Sequence, residues 1–144
     1  MVRRRFYSLL ALAALALPTC SAQEEGAAVP SPLALWNPAS VDAVNDATLG
    51  SGTVSISEPC VIFVSDNGKS ILLVWPEPTA WKASTRTVEF VGVFGEMLEL
   101  QDGDRIMPGG ANATPTSQFV TPPDDGCEVD ETFIVSSVVP VPDP

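Results

Sequence analysis

Apolar and polar positions over the C-terminal two-thirds of the chain follow the pattern of short strands. Apolar residues alternate with Thr and Ser over residues 53–57 (TVSIS), which is the period of a strand with one buried face. The apolar runs at 60–64 (CVIFV) and 71–75 (ILLVW) predict strands that are covered on both faces. The Asn-Gly pair in 65–70 (SDNGKS) favours a hairpin between them, and Pro76 ends the second strand because proline offers no ladder N–H.

Four further segments continue the strand pattern. They are 86–94 (RTVEFVGVF), 96–101 (EMLELQ), the short 105–107 (RIM) and 132–139 (TFIVSSVV). Within the first of them, we expect the side chains of Val88, Phe90 and Phe94 to share one face.

The segments between these strands carry weaker signals. Residues 79–85 (TAWKAST) predict a loop or one helical turn, and the glycine-containing stretch that begins at Pro108 predicts a loop. The pattern therefore indicates an all-β domain of about six or seven short antiparallel strands with one disulfide. Such a domain forms either a small barrel, of the OB-like kind, or a sandwich.

Composition divides the chain into four parts. Residues 1–22 have a basic start, an apolar run too short to span a bilayer, and small residues after Pro18, which together predict a signal peptide. Residues 23–50 are expected to form a tether and an irregular N-terminal segment, with one helical turn at most. Residues 51–139 are the predicted barrel domain, and 140–144 are a predicted disordered tail.

Export leaves two processing routes open. Cleavage after Ala22 would release a secreted or periplasmic protein that begins at Gln23. The alternative is a lipobox in LPTC, in which Cys20 is lipidated and anchors the protein at the envelope. Thr19 fits a lipobox poorly, so we favour the soluble form. No transmembrane helix is expected in the mature chain.

Charge argues against nucleic-acid binding. The whole chain has a net charge of −11, which becomes −14 when Arg3, Arg4 and Arg5 leave with the signal. A phosphate backbone would be repelled by such a protein, so we expect no nucleic-acid partner. Solubility in an exported protein explains the acidity.

The cysteines agree with an oxidising compartment. Without Cys20, one pair remains, Cys60 and Cys127, which are 67 positions apart. In a small exported β domain such a pair predicts a disulfide. We predict no metal site, since the chain has no histidine and two cysteines alone cannot complete a zinc site.

Catalytic residues are not predicted. The absence of histidine excludes Ser-His-Asp and Cys-His catalysis. A hydrolytic pair of carboxylates is a remote alternative, because the acids fall in turns or at outward strand positions where solvation explains them. The acids in question are Glu77, Glu89, Glu96, Glu99, Asp102 and Asp104. We expect no cofactor.

The tryptophans are the remaining candidates for a site. Trp75 closes an apolar strand and is expected in the core, with its indole N–H near the rim. Trp81 stands beside Lys82 after a Pro-Glu-Pro turn, where a partner could reach it. We therefore predict a contact surface at Glu77, Trp81 and Lys82, and Trp36 is a second candidate for a loop position.

The stretch from Gly52 to Val139 resembles a family of small bacterial exported proteins and lipoproteins of unestablished function. The resemblance is carried, in order, by GTVSIS, CVIFV, LLVWP, a glycine-bearing strand pair ending in GDRIMPGG, and a second cysteine before TFIVSSV. It implies a compact β-barrel with a Cys60–Cys127 bridge, and it implies no activity.

The function that these expectations favour is binding rather than catalysis. The leading hypothesis is a non-enzymatic exported β-module with a structural or protein-binding role at the cell envelope or outside it. The alternative is a small-molecule or glycan-binding domain that uses loop tryptophans.

Overall fold

The computed structural model of the protein describes residues 30–40, 47–112 and 119–143. The strands within these ranges are β1 (Ala34–Trp36), β2 (Ala47–Thr48), β3 (Gly52–Ile56), β4 (Val61–Ser65), β5 (Ser70–Pro76), β6 (Ala80–Lys82), β7 (Thr87–Val91), β8 (Met97–Leu100), β9 (Arg105–Asn112), β10 (Phe119–Thr121) and β11 (Glu131–Pro140). A 3-10 turn at Pro38–Ser40 follows β1. No helix in the described residues is long and apolar enough to cross a membrane.

Five of these strands close into a barrel, which confirms the predicted all-β barrel class. β3, β4 and β5 form an antiparallel meander, β11 runs parallel to β5, and β9 lies antiparallel to both β11 and β3. The spatial order around the barrel is β3–β4–β5–β11–β9 and back to β3. When the five barrel strands are numbered along the chain, this order is 1-2-3-5-4-1. This is the connectivity of the OB-fold, a five-stranded Greek-key barrel.

Alternation in β3 fills the barrel interior as its sequence predicts. Val54 and Ile56 are buried, whereas Thr53 and Ser55 between them are half-buried. Gly52 begins the strand where β4 comes close, since a Cβ there would lie 2.5 Å from the Phe63 ring. The small residue therefore permits the close approach that the first hairpin of the barrel requires.

β5 is covered on both faces, as its continuous apolar run predicts. Ile71, Leu73 and Trp75 belong to the cluster inside the barrel. Leu72 and Val74 point to the other face and belong to a second cluster, which also contains Trp36, Ile134 and Cys60. β4 departs from the prediction, because its outward residues Ile62 and Val64 remain half-buried, and of the two only Ile62 packs against this second cluster.

β9 is longer than the sequence predicts. The predicted loop from Pro108 onward is wrong as far as Asn112, because the Pro-Gly-Gly segment continues the strand and pairs with β11. Gly110 has no room for a side chain there, since a Cβ would lie only 1.9 Å from the Ile134 carbonyl oxygen. The two glycines therefore serve close strand contact rather than a turn. The rest of the predicted loop, 113–117, lies outside the described residues.

A second, three-stranded sheet is inserted between β5 and β9. It has the order β6–β7–β8 and packs Val88, Phe90 and Leu100 against the barrel core. The rings of Phe90 and Trp75 meet edge to face at a centroid distance of 5.8 Å.

Two sequence predictions fail in this inserted sheet. The segment predicted as a loop or helical turn contains β6, which is stabilised by its hydrogen bonds to β7. Its short, mixed sequence does not predict a strand. Phe94 does not share the face of Val88 and Phe90. It is 76% exposed, because the chain turns there and Gly95 adopts a φ of 90°.

The N-terminal segment contributes two short strands beside the barrel. β1 runs parallel to the end of β5 and antiparallel to β10, and β2 pairs with β9. The sequence leaves these residues in an irregular segment, since strands of two or three residues carry no periodicity. The predicted signal peptide, the cleavage after Ala22 and the lipidation of Cys20 lie outside the described residues.

The predicted disulfide is confirmed. Cys60 and Cys127 are bonded, with their Cα atoms 5.7 Å apart. The bond ties the loop between β3 and β4 to the segment that follows β10. Cys60, Cys127 and Val129 all pack in or against the second cluster, so the bond holds that segment over the outer face of β5.

Candidate functional site

The three tryptophans have different environments. Trp36 is 1% exposed and Trp75 is 0% exposed, whereas Trp81 is half-buried. The indole N–H of Trp36 donates to the Val135 carbonyl oxygen at 3.0 Å. The suggestion that Trp36 stands on an accessible loop is therefore wrong, because β1 places it beneath the segment around β10. The expectation that Trp75 lies in the core is confirmed.

The N–H of Trp75 is not at the rim of the core. Its Nε1 is buried and has no hydrogen-bond partner among the described residues. A buried donor without an acceptor is unfavourable, and the ring is retained there by its apolar contacts inside the barrel.

Trp81 lines an open groove. It occupies the middle position of β6, opposite Val88, and one side of its ring packs against the main core. Its other side faces a groove of about 330 Å³. The groove is lined by Pro30, Pro32, Ser57, Glu58, Trp81, Ala83 and Arg86. The groove beside Trp81 is therefore lined by the turn between β3 and β4, the turn between β6 and β7, and the start of the described chain.

Arg86 is the unpaired cation of this groove. Among the basic residues of the described ranges, Lys69, Lys82 and Arg105 each form a salt bridge with a carboxylate, and Arg86 forms none. Its backbone has a φ of 56°, the left-handed region that a residue with a side chain rarely adopts. Conformations of this kind are found disproportionately at binding sites.

The part of the groove lining that contains Ser57 and Glu58 is held by the disulfide loop. The Ser57 hydroxyl donates to the Cys60 carbonyl oxygen at 3.0 Å, and the Ser57 N–H donates to the same oxygen. Cys60 is bonded to Cys127. Ser57 and Glu58 are thus positioned by a cross-linked turn, so this wall of the groove is preorganised.

The three residues predicted as one contact surface are separated. Trp81 faces the groove, but Lys82 is the next residue of the strand and points to the opposite face, where it pairs with Glu89. The hydrogen bond and the charge of Glu89 raise the pKa of Lys82 above its ordinary value. Glu77 is exposed in the turn before β6 and does not line the groove.

Several groove residues were missed by sequence reasoning. Pro30 and Pro32 fall in a segment whose composition indicates a tether, and Arg86 was assigned to the start of a strand. Only the local basic charge of Arg86 in an acidic chain could have drawn attention to it. Lys69, Lys82 and Arg105 are neutralised by carboxylates on other strands or turns, and local sequence does not show these contacts.

Three of the six acidic residues considered for hydrolysis accept hydrogen bonds from the backbone. Carboxylates of Asp102 and Asp104 accept from the N–H groups of Ile56 and Gln101, each at 2.7 Å, and Glu96 accepts from Phe94 N–H at 3.2 Å. The contacts of Glu96 and Asp104 stabilise turns, and that of Asp102 ties its turn to β3. The described residues contain no group of three or more His, Cys, Asp or Glu side chains that could hold a metal ion.

Comparisons with known proteins add no assignment to this geometry. The chain matches no protein-family profile, and no curated protein or solved structure is significantly similar to it.

Proposed function

We propose that the protein is a non-enzymatic, exported β-module that binds another protein through the groove around Trp81. One observation carries this proposal. The half-exposed tryptophan and the unpaired arginine of the described chain line the same open groove. Tryptophan and arginine are the side chains most enriched among residues that dominate the binding energy of protein interfaces.

The composition of the groove supports a peptide-like ligand. Pro30, Pro32 and Ala83 give it an apolar lining beside the indole, while Glu58 and Arg86 supply opposite charges. A segment of a protein partner offers apolar side chains, amide groups and both charges together. The preorganised turn at Ser57 and Glu58 reduces the entropy that such a partner would lose on binding.

Export to an extracytoplasmic compartment is part of the proposal. The Cys60–Cys127 bond supports it, because such bonds persist in oxidising compartments. The basic and apolar start of the sequence supports it independently. We propose the secreted or periplasmic form, with the Cys20-anchored form as the alternative, and an intact-mass measurement of the exported protein distinguishes them.

A photo-crosslinking experiment tests the proposed function. A benzophenone amino acid replaces Ala83, an exposed groove residue, in the full chain expressed in its native host. We expect a discrete crosslinked protein, and we expect Trp81→Ala to abolish it. The matched control carries the same amino acid at Asn67, which is exposed in the turn between β4 and β5 and does not line the groove. Identical crosslinks from both positions would contradict the proposal.

A small-molecule or glycan ligand is the second candidate, and the size of the groove favours it. A volume of about 330 Å³ falls within the range of ligand pockets. Because Trp36 and Trp75 are shielded, any solvent-sensitive part of the tryptophan emission comes from Trp81. A saturable emission shift with soluble cell-wall glycan fragments, absent in Trp81→Ala, would select this candidate over the protein partner.

A further inference from the structure

The two outer strands of the inserted sheet are protected to different degrees. β6 has only three residues, is preceded by Pro78 and ends at Lys82, which are features that discourage pairing with another chain. β8 (Met97–Leu100) contains neither proline nor lysine, and β7 is its one strand partner among the described residues. Among the described residues, the edge of β8 is therefore open to pairing with another strand, whereas the edge of β6 is protected from it.

The register shows which backbone groups this edge presents. The N–H of Gly92 donates to the Glu96 carbonyl oxygen at 2.8 Å, so the residue pair 92 and 96 is a hydrogen-bonded pair. Hydrogen-bonded and non-bonded pairs alternate along an antiparallel ladder. Leu98 and Leu100 therefore bond to β7, while the N–H and C=O groups of Met97 and Glu99 point away from it.

A groove runs along this edge. It has a volume of about 340 Å³ and is lined by three consecutive β8 residues on one side. Residues 103–106 and 140–143 form the remainder of its lining. Phe94 and Met97, at the entrance of β8, are 76% and 78% exposed. Large apolar side chains exposed together are typical of contact sites.

The charge of the edge is negative. Glu99, Asp104 and Asp143 line the groove, and Arg105, the one cation that the described residues contribute to it, is already bonded to Asp66 at 3.1 Å. Glu89 and Glu99 lie directly opposite each other on neighbouring strands, an unfavourable arrangement of like charges. Lys82 forms its salt bridge with Glu89, and Glu99 forms none among the described residues.

We propose that β8 binds an extended, basic segment of a protein partner by strand addition. The backbone of the segment bonds to Met97 and Glu99, its apolar side chains cover Met97, and its Lys or Arg side chains neutralise Glu99. A second copy of this chain is the less favourable occupant, because each copy has a net charge of −11. This site is separate from the Trp81 groove and does not depend on the function proposed for it.

Peptide binding tests the proposal on the full-length protein. The probe is a fluorescein-labelled eight-residue peptide that alternates Lys and Val, and the control peptide alternates Glu and Val. We expect saturable anisotropy with the Lys-Val peptide only. On binding, the backbone amides of Met97 and Glu99 should gain protection from hydrogen exchange, while those of Leu98 and Leu100, already bonded to β7, should not.

Variants separate strand addition from general attraction to an acidic protein. Glu99→Lys should weaken binding at least tenfold, whereas Glu128→Lys, an equal change of charge at an exposed residue outside the groove, should weaken it less than twofold. Equal effects of the two charge variants, or no protection at Met97 and Glu99, would overturn the proposal. Concentration-dependent dimers of the free chain that compete with the peptide would also overturn it, in favour of a second copy.

Discussion

Trp36 and Trp75 are both fully enclosed, yet only one of them satisfies its polar atom. The indole N–H of Trp36 bonds to the Val135 carbonyl oxygen, and the N–H of Trp75 has no partner in the described chain. Replacement by phenylalanine removes ring volume at both positions but removes a hydrogen bond at only one. A buried carbonyl that loses its donor costs about 1–2 kcal/mol.

The two substitutions therefore form a matched pair. We predict that Trp36→Phe lowers the free energy of unfolding by about 1–2 kcal/mol more than Trp75→Phe does, because only the first breaks a hydrogen bond. Urea denaturation followed by far-ultraviolet circular dichroism measures the difference. Equal losses at the two positions would show that the Trp36 bond contributes nothing net.

The pair formed by Lys82 and Glu89 makes a prediction about pH. Glu89 raises the pKa of Lys82, first through its hydrogen bond and then through its charge. A lysine whose pKa is raised in the folded state contributes stability that is present below its unfolded pKa, about 10.4. That contribution is lost as the pH rises through the folded pKa.

Glu89→Gln should lower the pKa of Lys82 toward its ordinary value. NMR titration of the lysine side-chain signals above about pH 9 measures this shift. Lys69 is an internal control, because its pKa is raised by a different carboxylate, Glu131, and should not change. An unchanged Lys82 titration in the variant would show that Glu89 does not hold the proton in solution.

At the scale of elements, the strands that sequence predicts best are those with a strong periodic pattern. β3, β5 and β11 lie where alternation or apolar runs place them. β6 is too short for periodicity, and β9 contains Pro-Gly-Gly, a sequence typical of turns. Both become strands because neighbouring strands supply hydrogen bonds, which is information about tertiary contacts and not about local sequence.

The candidate site was predictable only in part for the same reason. The position of Trp81 after a turn marked it as accessible, and it lines the groove. The partners it meets there come from segments far away in sequence, around Pro30 and Ser57. Lys82 is adjacent to Trp81 in sequence but points to the other face, since β6 is a strand and not a loop.

The disulfide joins the loop before β4 to the segment between β10 and β11. It closes a loop of 67 residues, for which the chain-entropy model gives a stabilisation of about 4 kcal/mol. We predict that the double variant Cys60→Ala and Cys127→Ala loses about this much of the free energy of unfolding. Denaturation with and without a thiol reductant is the control, since the reductant should destabilise the parent chain and leave the variant unchanged. If reduction left the free energy of unfolding of the parent chain unchanged, the entropic account would be contradicted.

At the scale of the whole molecule, the barrel has the connectivity of a fold that often binds nucleic acid, but the β5 part of its usual binding face is covered. In OB-folds that face is formed by the second and third barrel strands, which are β4 and β5 here. The outward residues of β5, Leu72 and Val74, are buried beneath Trp36 and the segment that includes Phe119 and Val129. The disulfide holds this segment in place, so the chain itself covers the β5 part of the face.

The covered outer face of β5 and the negative net charge both disfavour binding to nucleic acid. With a net charge of −11, and with three of the four described cations in salt bridges, the molecule offers little to a phosphate backbone. A labelled oligothymidylate should therefore show no rise in anisotropy, even at low salt, where electrostatic binding is strongest. A single-strand-binding OB protein serves as the positive control. Saturable binding that weakens with salt would mean that the segment over β5 moves aside, and hydrogen exchange at Leu72 and Val74 would then increase with the probe.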